Sequence, residues 1–255
     1  MNKNNKDTII SKSGQWYQLR NRDQSLELGM FWQYENYKIV FGNKNFSDNE
    51  ILEQYSNVEL LKIKQIHSAK VVLASTELQE ADAHYTASSN MALQIKTADC
   101  MPVFMFDSNS KIIMAIHSGW RGVANKIVEV AVNELIKMGT KVSHLRVVIG
   151  PHIRKQSFEV DQPVWVEIMD SIPIEYHHES NRYFEKYSVE NSSNQEKYII
   201  DLEGILKTQL YKMGISEDKI DSLPNDTLTD LRWNSHRRDK EKSGRNISFI
   251  LRESI

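Results

Sequence analysis

One cysteine in 255 residues excludes an intrachain disulfide, and cysteine usage gives no sign of an oxidising compartment. No apolar run approaches the roughly 20 residues that a membrane-spanning helix needs. The formal net charge is only -2, so no global field recruits nucleic acid or an acidic membrane, although a local basic pocket remains open. Internal repeats and long linkers are absent. The polar start, Met1-Asn2-Lys3-Asn4-Asn5-Lys6, is not followed by a signal-peptide apolar region. These absences lead to the expectation of a soluble, cytoplasmic protein with neither nucleic acid nor membrane as its partner. No heptad or apolar patch marks an oligomer. The expected organisation is one α/β domain over residues 1–255, with residues 1–12 frayed.

What is present is an interleaving of strand-like and helix-like segments. Residues 15–43 mix aromatic and charged residues and read as short strands, of which 37–41 is the clearest. A short helix is expected over 48–55 with Ser47 as its N-cap. Strand-like runs follow at 60–66, 71–74, 92–95 and 102–106. Asp107-Ser108-Asn109-Ser110 then turns the chain into a return strand over 111–116. The spacing of Ile127, Val128, Val130, Ala131, Leu135 and Met138 predicts one helix over 123–138, ended by Gly139. A strand at 145–149 stops at Gly150-Pro151, and Asp161-Gln162-Pro163 starts another helix. The polar stretch 175–197, with its Asn191-Ser192-Ser193-Asn194 tract, reads as a loop or irregular insert. Asp201 caps a helix closed by Gly214, and 247–251 is a last strand. The class is α/β or α+β, with a mixed sheet and flanking helices.

The chemistry centres on Cys100 and two histidines. His67, Cys100 and His117 each fall at or beside the end of a strand-like run, where side chains distant in sequence converge. One thiolate and two imidazoles make a three-ligand metal site with an open fourth position, the arrangement of a catalytic zinc. The same atoms could form a thiolate–imidazole nucleophile pair. Against this stands the commoner fate of a lone cysteine, a small buried hydrophobe. Each imidazole ligand needs an acceptor to fix its tautomer, and Asp82 and Asp99 are candidates for that work or for a general base. Ser118-Gly119-Trp120-Arg121-Gly122 leads into a helix and is a candidate anion site. Arg237-Arg238 with Gly244-Arg245 reads as a charged surface turn, with phosphate binding as the sharper alternative. His152 could line a pocket. His84, His144, His177 and His178 sit in polar surroundings and read as surface histidines.

Taken in order, Gln65-Ile66-His67, Ala81-Asp82-Ala83, Thr97-Ala98-Asp99-Cys100, His117-Ser118-Gly119-Trp120-Arg121-Gly122, Gly150-Pro151 and Ser235-His236-Arg237-Arg238-Asp239 resemble the motifs of a known family. This is the peptidoglycan-editing-factor family, also called laccase-domain proteins or polyphenol oxidases. The resemblance runs from about residue 60 to the C-terminus. It implies a mixed-sheet sandwich similar to the catalytic domain of cytotoxic necrotizing factor. It places the metal ligands on His67, Cys100 and His117, usually with zinc. It further implies phosphorolysis of adenosine, inosine and methylthioadenosine, and deamination of adenosine. Copper-dependent oxidation of phenols and a role in keeping the peptidoglycan precursor correct are also claimed for the family. One departure stands out: many members carry a cysteine where this chain has Asn225-Asp226-Thr227.

The leading expectation is therefore a zinc-dependent purine nucleoside enzyme. Asp99 is expected to move the proton and Arg121 to hold phosphate. The rivals are a copper oxidase of phenols, a metal-free Cys/His amide hydrolase, and a metal-stabilised binding protein acting on cell-wall synthesis.

Overall fold

Alternation along the strands explains the architecture. In Met101–Asp107 every residue is buried, because the strand is covered on both faces. Met101, Val103 and Met105 join one apolar cluster, while Phe104 and Phe106 join another. The return strand Ile112–Ser118 divides the same way, with Ile112, Met114 and Ile116 on one side and Ile113 and Ala115 on the other. A strand apolar in both registers is the mark of a central layer.

The computed structural model describes residues 14–55, 57–188 and 196–254. The expected frayed start and the Asn191-Ser192-Ser193-Asn194 tract lie outside these residues. Two six-stranded mixed sheets pack face to face. The first runs, edge to edge, through Gln15–Arg20, Glu27–Tyr34, Tyr37–Gly42, Asn246–Arg252, Met91–Thr97 and Glu59–Leu61. The second runs through Ile220–Ser222, Leu145–Ile149, Met101–Asp107, Ile112–Ser118, Ala83–Thr86 and Val71–Leu73. Aromatic rings fill the space between them. Tyr37 and Phe106 stack at 4.5 Å between centroids, and Phe41 meets Phe104 edge-on at 5.5 Å. Helices Ile127–Lys137, Gln162–Met169 and Leu202–Lys212 cover the outer face of the second sheet. The outer face of the first is covered by Asp48–Gln54, through Ile51. The mixed-sheet sandwich with flanking helices is thus the fold of the chain. Among the described residues no helix is long and apolar enough to cross a membrane.

Three local expectations need correction. The helix expected over 123–138 is two, Trp120–Ala124 and Ile127–Lys137. Asn125 closes the first by donating both its N–H groups to the Arg121 carbonyl, at 2.9 and 2.8 Å, and Lys126 turns the chain with φ at 56°. The stretch expected to be irregular carries a 3₁₀ segment, Ile174–Arg182, and strands Phe184–Ser188 and Glu196–Ile200, which pair with each other, the second also pairing with Glu159–Asp161. Finally, His84 is not on the surface. It lies in Ala83–Thr86, fully buried, with Nε2 3.2 Å from the Gln94 carbonyl.

That burial has a consequence for acid stability. Burial holds His84 and His152 well below the usual histidine range, each at about 4. The unfolded chain takes up these protons near pH ~6.5. Their stabilisation is therefore complete above that value and is lost as pH falls from about 6.5 towards 4. Thermal melts of chelator-treated protein are expected to drop by several degrees between pH 7 and pH 5, and His84→Gln is expected to shrink the drop. An unchanged melting temperature would contradict the assignment.

Candidate metal centre

The site forms at one end of the second sheet, and strand register brings it there. Met101 pairs with Ser118 and Pro102 with His117, so the residue that opens one strand and the residue that ends the other share a rung. Cys100 immediately precedes the first strand and Gly119 follows the second. On the far side of Ile112–Ser118, Ala83 pairs with Ile116, which sets Asp82 beside His117. Val71 pairs with Ala83 in parallel, so the loop carrying His67 enters at the same end.

Asp82 organises both histidines. Its buried carboxylate lies 2.8 Å from Nδ1 of His117, which leaves Nε2 of that ring as the ligand atom. The same carboxylate accepts from the backbone N–H of His67 at 3.0 Å, of Ile66 at 3.2 Å and of Ser68 at 2.6 Å, and from the Ser68 hydroxyl at 2.7 Å. The loop is thereby wrapped around one anion, with His67 in the left-handed region at φ 58°. Burial pushes the Asp82 carboxyl up, but His117 and Ser68 outweigh it and hold the group at about 2. Gln65 ties the loop to the first sheet through paired 2.8 Å bonds with the backbone of Lys96.

The ligand atoms of His67, Cys100 and His117 all lie within 4.8 Å of one another, and the two imidazole rings meet edge to face. Burial pushes the Cys100 thiol up, yet His117 and His67 pull it further down, to about 6. Burial lowers His117, but Asp82 and Cys100 raise it to about 9. Both shifts favour a thiolate facing an imidazolium in the metal-free cluster, a pair whose proton a cation would displace. Gly119 lies hard against the cluster: an added Cβ would meet Cys100 Sγ at 2.8 Å and His67 Cδ2 at 3.5 Å, so any larger residue there would crowd the thiolate. The donor chemistry suits zinc, with a soft thiolate and two borderline imidazoles whose ligand atoms converge.

The cluster lies in the wall of a cleft of about 700 Å³. Its charged side chains are Lys96, Arg121, Arg237, Arg245 and a single carboxylate, Asp99. Trp120, Ile153, Phe158 and Leu202 supply an apolar wall. Arg121 is exposed, with its guanidinium 4.3 Å from the Trp120 ring centroid. Asp99 is near the cluster but spoken for: Thr227 Oγ1 donates to one oxygen at 2.7 Å and the backbone N–H of Arg237 to the other at 2.6 Å.

Several functional candidates escaped the sequence reading. Arg237 and Arg245, read as a surface turn, line the cleft, whereas neighbouring Arg238 is committed to the carbonyls of Thr227, Leu228 and Trp233. His152 does not line the cleft; it is buried, with Nδ1 2.9 Å from the Gly150 carbonyl. Phe158 and Leu202 carried no motif that marked them, and Gln65 and Trp120 sat inside quoted motifs without a role assigned to them.

The sandwich, the cleft and a thiol flanked by imidazoles describe an α/β protein with a candidate metal centre. The chain belongs to the family of the multi-copper polyphenol oxidoreductase laccase, whose model matches residues 24–253. It is 28% identical over 214 residues to a Rickettsia conorii protein named purine nucleoside phosphorylase, covering 80% of this chain and 83% of that one. A Clostridium acetobutylicum protein of the same name is 27% identical over 219 residues, covering 83% and 84%. Among solved structures, the Bacillus licheniformis hypothetical protein YfiH superposes with a TM-score of 0.75 at 22% identity, covering 88% of this chain and 96% of that one. YlmD from Geobacillus stearothermophilus gives 0.74 at 20% identity, covering 88% and 96%. The likeness to these two structures is one of fold.

Proposed function

We propose that the chain is a cytoplasmic, zinc-dependent purine nucleoside phosphorylase that also deaminates adenosine. The observation that carries the reading is the His67, Cys100 and His117 cluster in the wall of a cleft whose charges are almost all positive. The phosphorylase name borne by its relatives supports it. Adenosine, inosine and methylthioadenosine are the proposed substrates.

His67, Cys100 and His117 would hold the zinc, which would supply Lewis acidity to the reaction. The rest falls to the chain. In phosphorolysis a phosphate oxygen forms a bond to the ribose anomeric carbon while the bond to the purine nitrogen breaks. The electron pair leaves with the base, which takes up the proton that the attacking hydrogen phosphate gives up. Arg121 holds the phosphate, its guanidinium pre-oriented against Trp120. The apolar wall of Trp120, Ile153, Phe158 and Leu202 receives the flat base and excludes water. Asp82 keeps Nδ1 of His117 engaged, so that ring presents one fixed nitrogen.

Copper is the alternative metal, and two imidazoles with one thiolate match the equatorial set of a blue-copper centre. Multicopper oxidation of phenols needs several centres. Among the described residues no second group of three His, Cys, Asp or Glu side chains is placed to hold an ion. Zinc phosphorolysis is therefore the stronger reading.

The test is a purified protein assayed for zinc and for base release with phosphate present. Zinc at one per chain, and adenine or inosine from adenosine, are expected. Stoichiometric zinc with neither product overturns the proposal; a blue absorption band on copper loading, with oxygen uptake, favours the oxidase. Arg121→Gln is expected to raise the KM for phosphate about tenfold, the loss of one charged hydrogen-bond partner. An unchanged phosphate dependence would remove Arg121 from that role.

A further inference from the structure

Asp99 carries the cleft's one carboxylate, and a carboxylate beside a metal cluster invites a role in proton transfer. Its surroundings argue otherwise. Both oxygens already accept short hydrogen bonds, from the Thr227 hydroxyl at 2.7 Å and from the Arg237 backbone N–H at 2.6 Å. Its own carbonyl accepts from Ile153 N–H at 3.0 Å. Its backbone sits at φ 81°, where a non-glycine residue stays only if its surroundings hold it. Thr227 is fully buried and is fixed in turn by its N–H to the His152 carbonyl at 3.1 Å. No substrate can reach that hydroxyl, so its bond to Asp99 serves placement.

The placed group is Arg237. Its backbone N–H is held by Asp99, one guanidinium nitrogen donates to the Glu159 carbonyl at 2.9 Å, and its carbon lies 5.7 Å from the Phe158 ring centroid. Among the described residues, its Nε and second terminal nitrogen have no protein acceptor, and the residue lines the cleft. Arg238, one position on, spends its guanidinium on backbone carbonyls and Asp239. The turn thus divides two adjacent arginines between holding the C-terminal segment and facing the ligand.

We propose that Asp99 is a positioning residue which, braced by Thr227, latches the Ser235–Asp239 segment beside Cys100 and so fixes Arg237 in the cleft as a second anion-binding cation. The proposal rests on reading the cleft as a phosphate-using site. It goes further by assigning Asp99 to geometry and Arg237 to the anion.

Titration calorimetry with inorganic phosphate on the zinc-loaded protein tests it. Arg237→Gln and Asp99→Asn are expected to weaken phosphate binding at least tenfold, and Thr227→Val about fivefold, with one zinc per chain retained throughout. Thr227→Ser, which keeps the hydroxyl, is expected to bind within twofold of wild type. In turnover, the Thr227→Val and Asp99→Asn effects should be at least fivefold larger on the KM for phosphate than on kcat. Wild-type phosphate affinity in Thr227→Val and Asp99→Asn would overturn the proposal. So would an Asp99→Asn defect confined to kcat, since that is the signature of a proton-transfer group. The titration needs no turnover, so a protein inert towards nucleosides would sink the phosphorylase reading and still leave this result decided.

Discussion

Cys100→Ala is expected to leave the purified protein with less than about a tenth of a zinc per chain and less than about a hundredth of its nucleoside turnover. The reason lies in the asymmetry of the three ligands. Cys100 contributes the only anion in the set, and His117 and His67 already draw its thiol down to about 6. Removing it leaves two imidazoles, one of them on the exposed loop at His67. Two neutral nitrogens hold zinc far more weakly than a set that includes a thiolate. Elemental analysis beside an adenosine assay reads both quantities. Full zinc retention would place the ion elsewhere. Turnover lost with zinc in place would favour the thiol as nucleophile, and the same arm is checked by alkylating Cys100 in active, metal-free enzyme. Loss of folding along with zinc would instead favour the metal-stabilised binding protein.

Asp82→Asn is the second large effect, expected to weaken zinc binding by about 10- to 100-fold. Asparagine keeps the shape of the side chain but has one acceptor oxygen. Five donors converge on Asp82: the His117 ring nitrogen, the N–H groups of Ile66, His67 and Ser68, and the Ser68 hydroxyl. An amide cannot serve them all, and its NH₂ would face N–H groups in a buried site. Both histidine ligands lose their anchor at once, one through its ring and the other through its backbone. Competition against a chromogenic chelator measures the affinity. A change of less than twofold would show that the two imidazoles hold their places unaided.

The parts legible in the sequence were those encoded by local chemistry. Asp161 and Asp201 stand as N-caps where expected, with Asp201 accepting from Gly204 N–H at 2.9 Å. The turn after Asp107 and the strand Leu145–Ile149 fall where their composition put them. His67, Cys100 and His117 were singled out by residue type and by their strand-end positions, and the structure gathers them. What stayed hidden depends on packing between elements. His84 has polar neighbours in sequence, and only the stacking of two sheets buries it. The break at Lys126 follows from hydrogen bonds of Asn125 that apolar spacing does not register. Arg237 and Arg238 are identical side chains one residue apart, and nothing local says which will face the cleft. The latch at Asp99 joins residues 128 and 138 positions away, beyond any motif.

The shared rung between Pro102 and His117 sets what kinds of length change the centre can absorb. Lengthening or shortening the bend after Asp107 acts at the opposite rim, about 20 Å off by strand rise, and keeps thiol and imidazole in step. A single residue inserted within Ile112–Ser118 is another matter: it rotates every later side chain to the reverse face and carries the ring of His117 in among the helices.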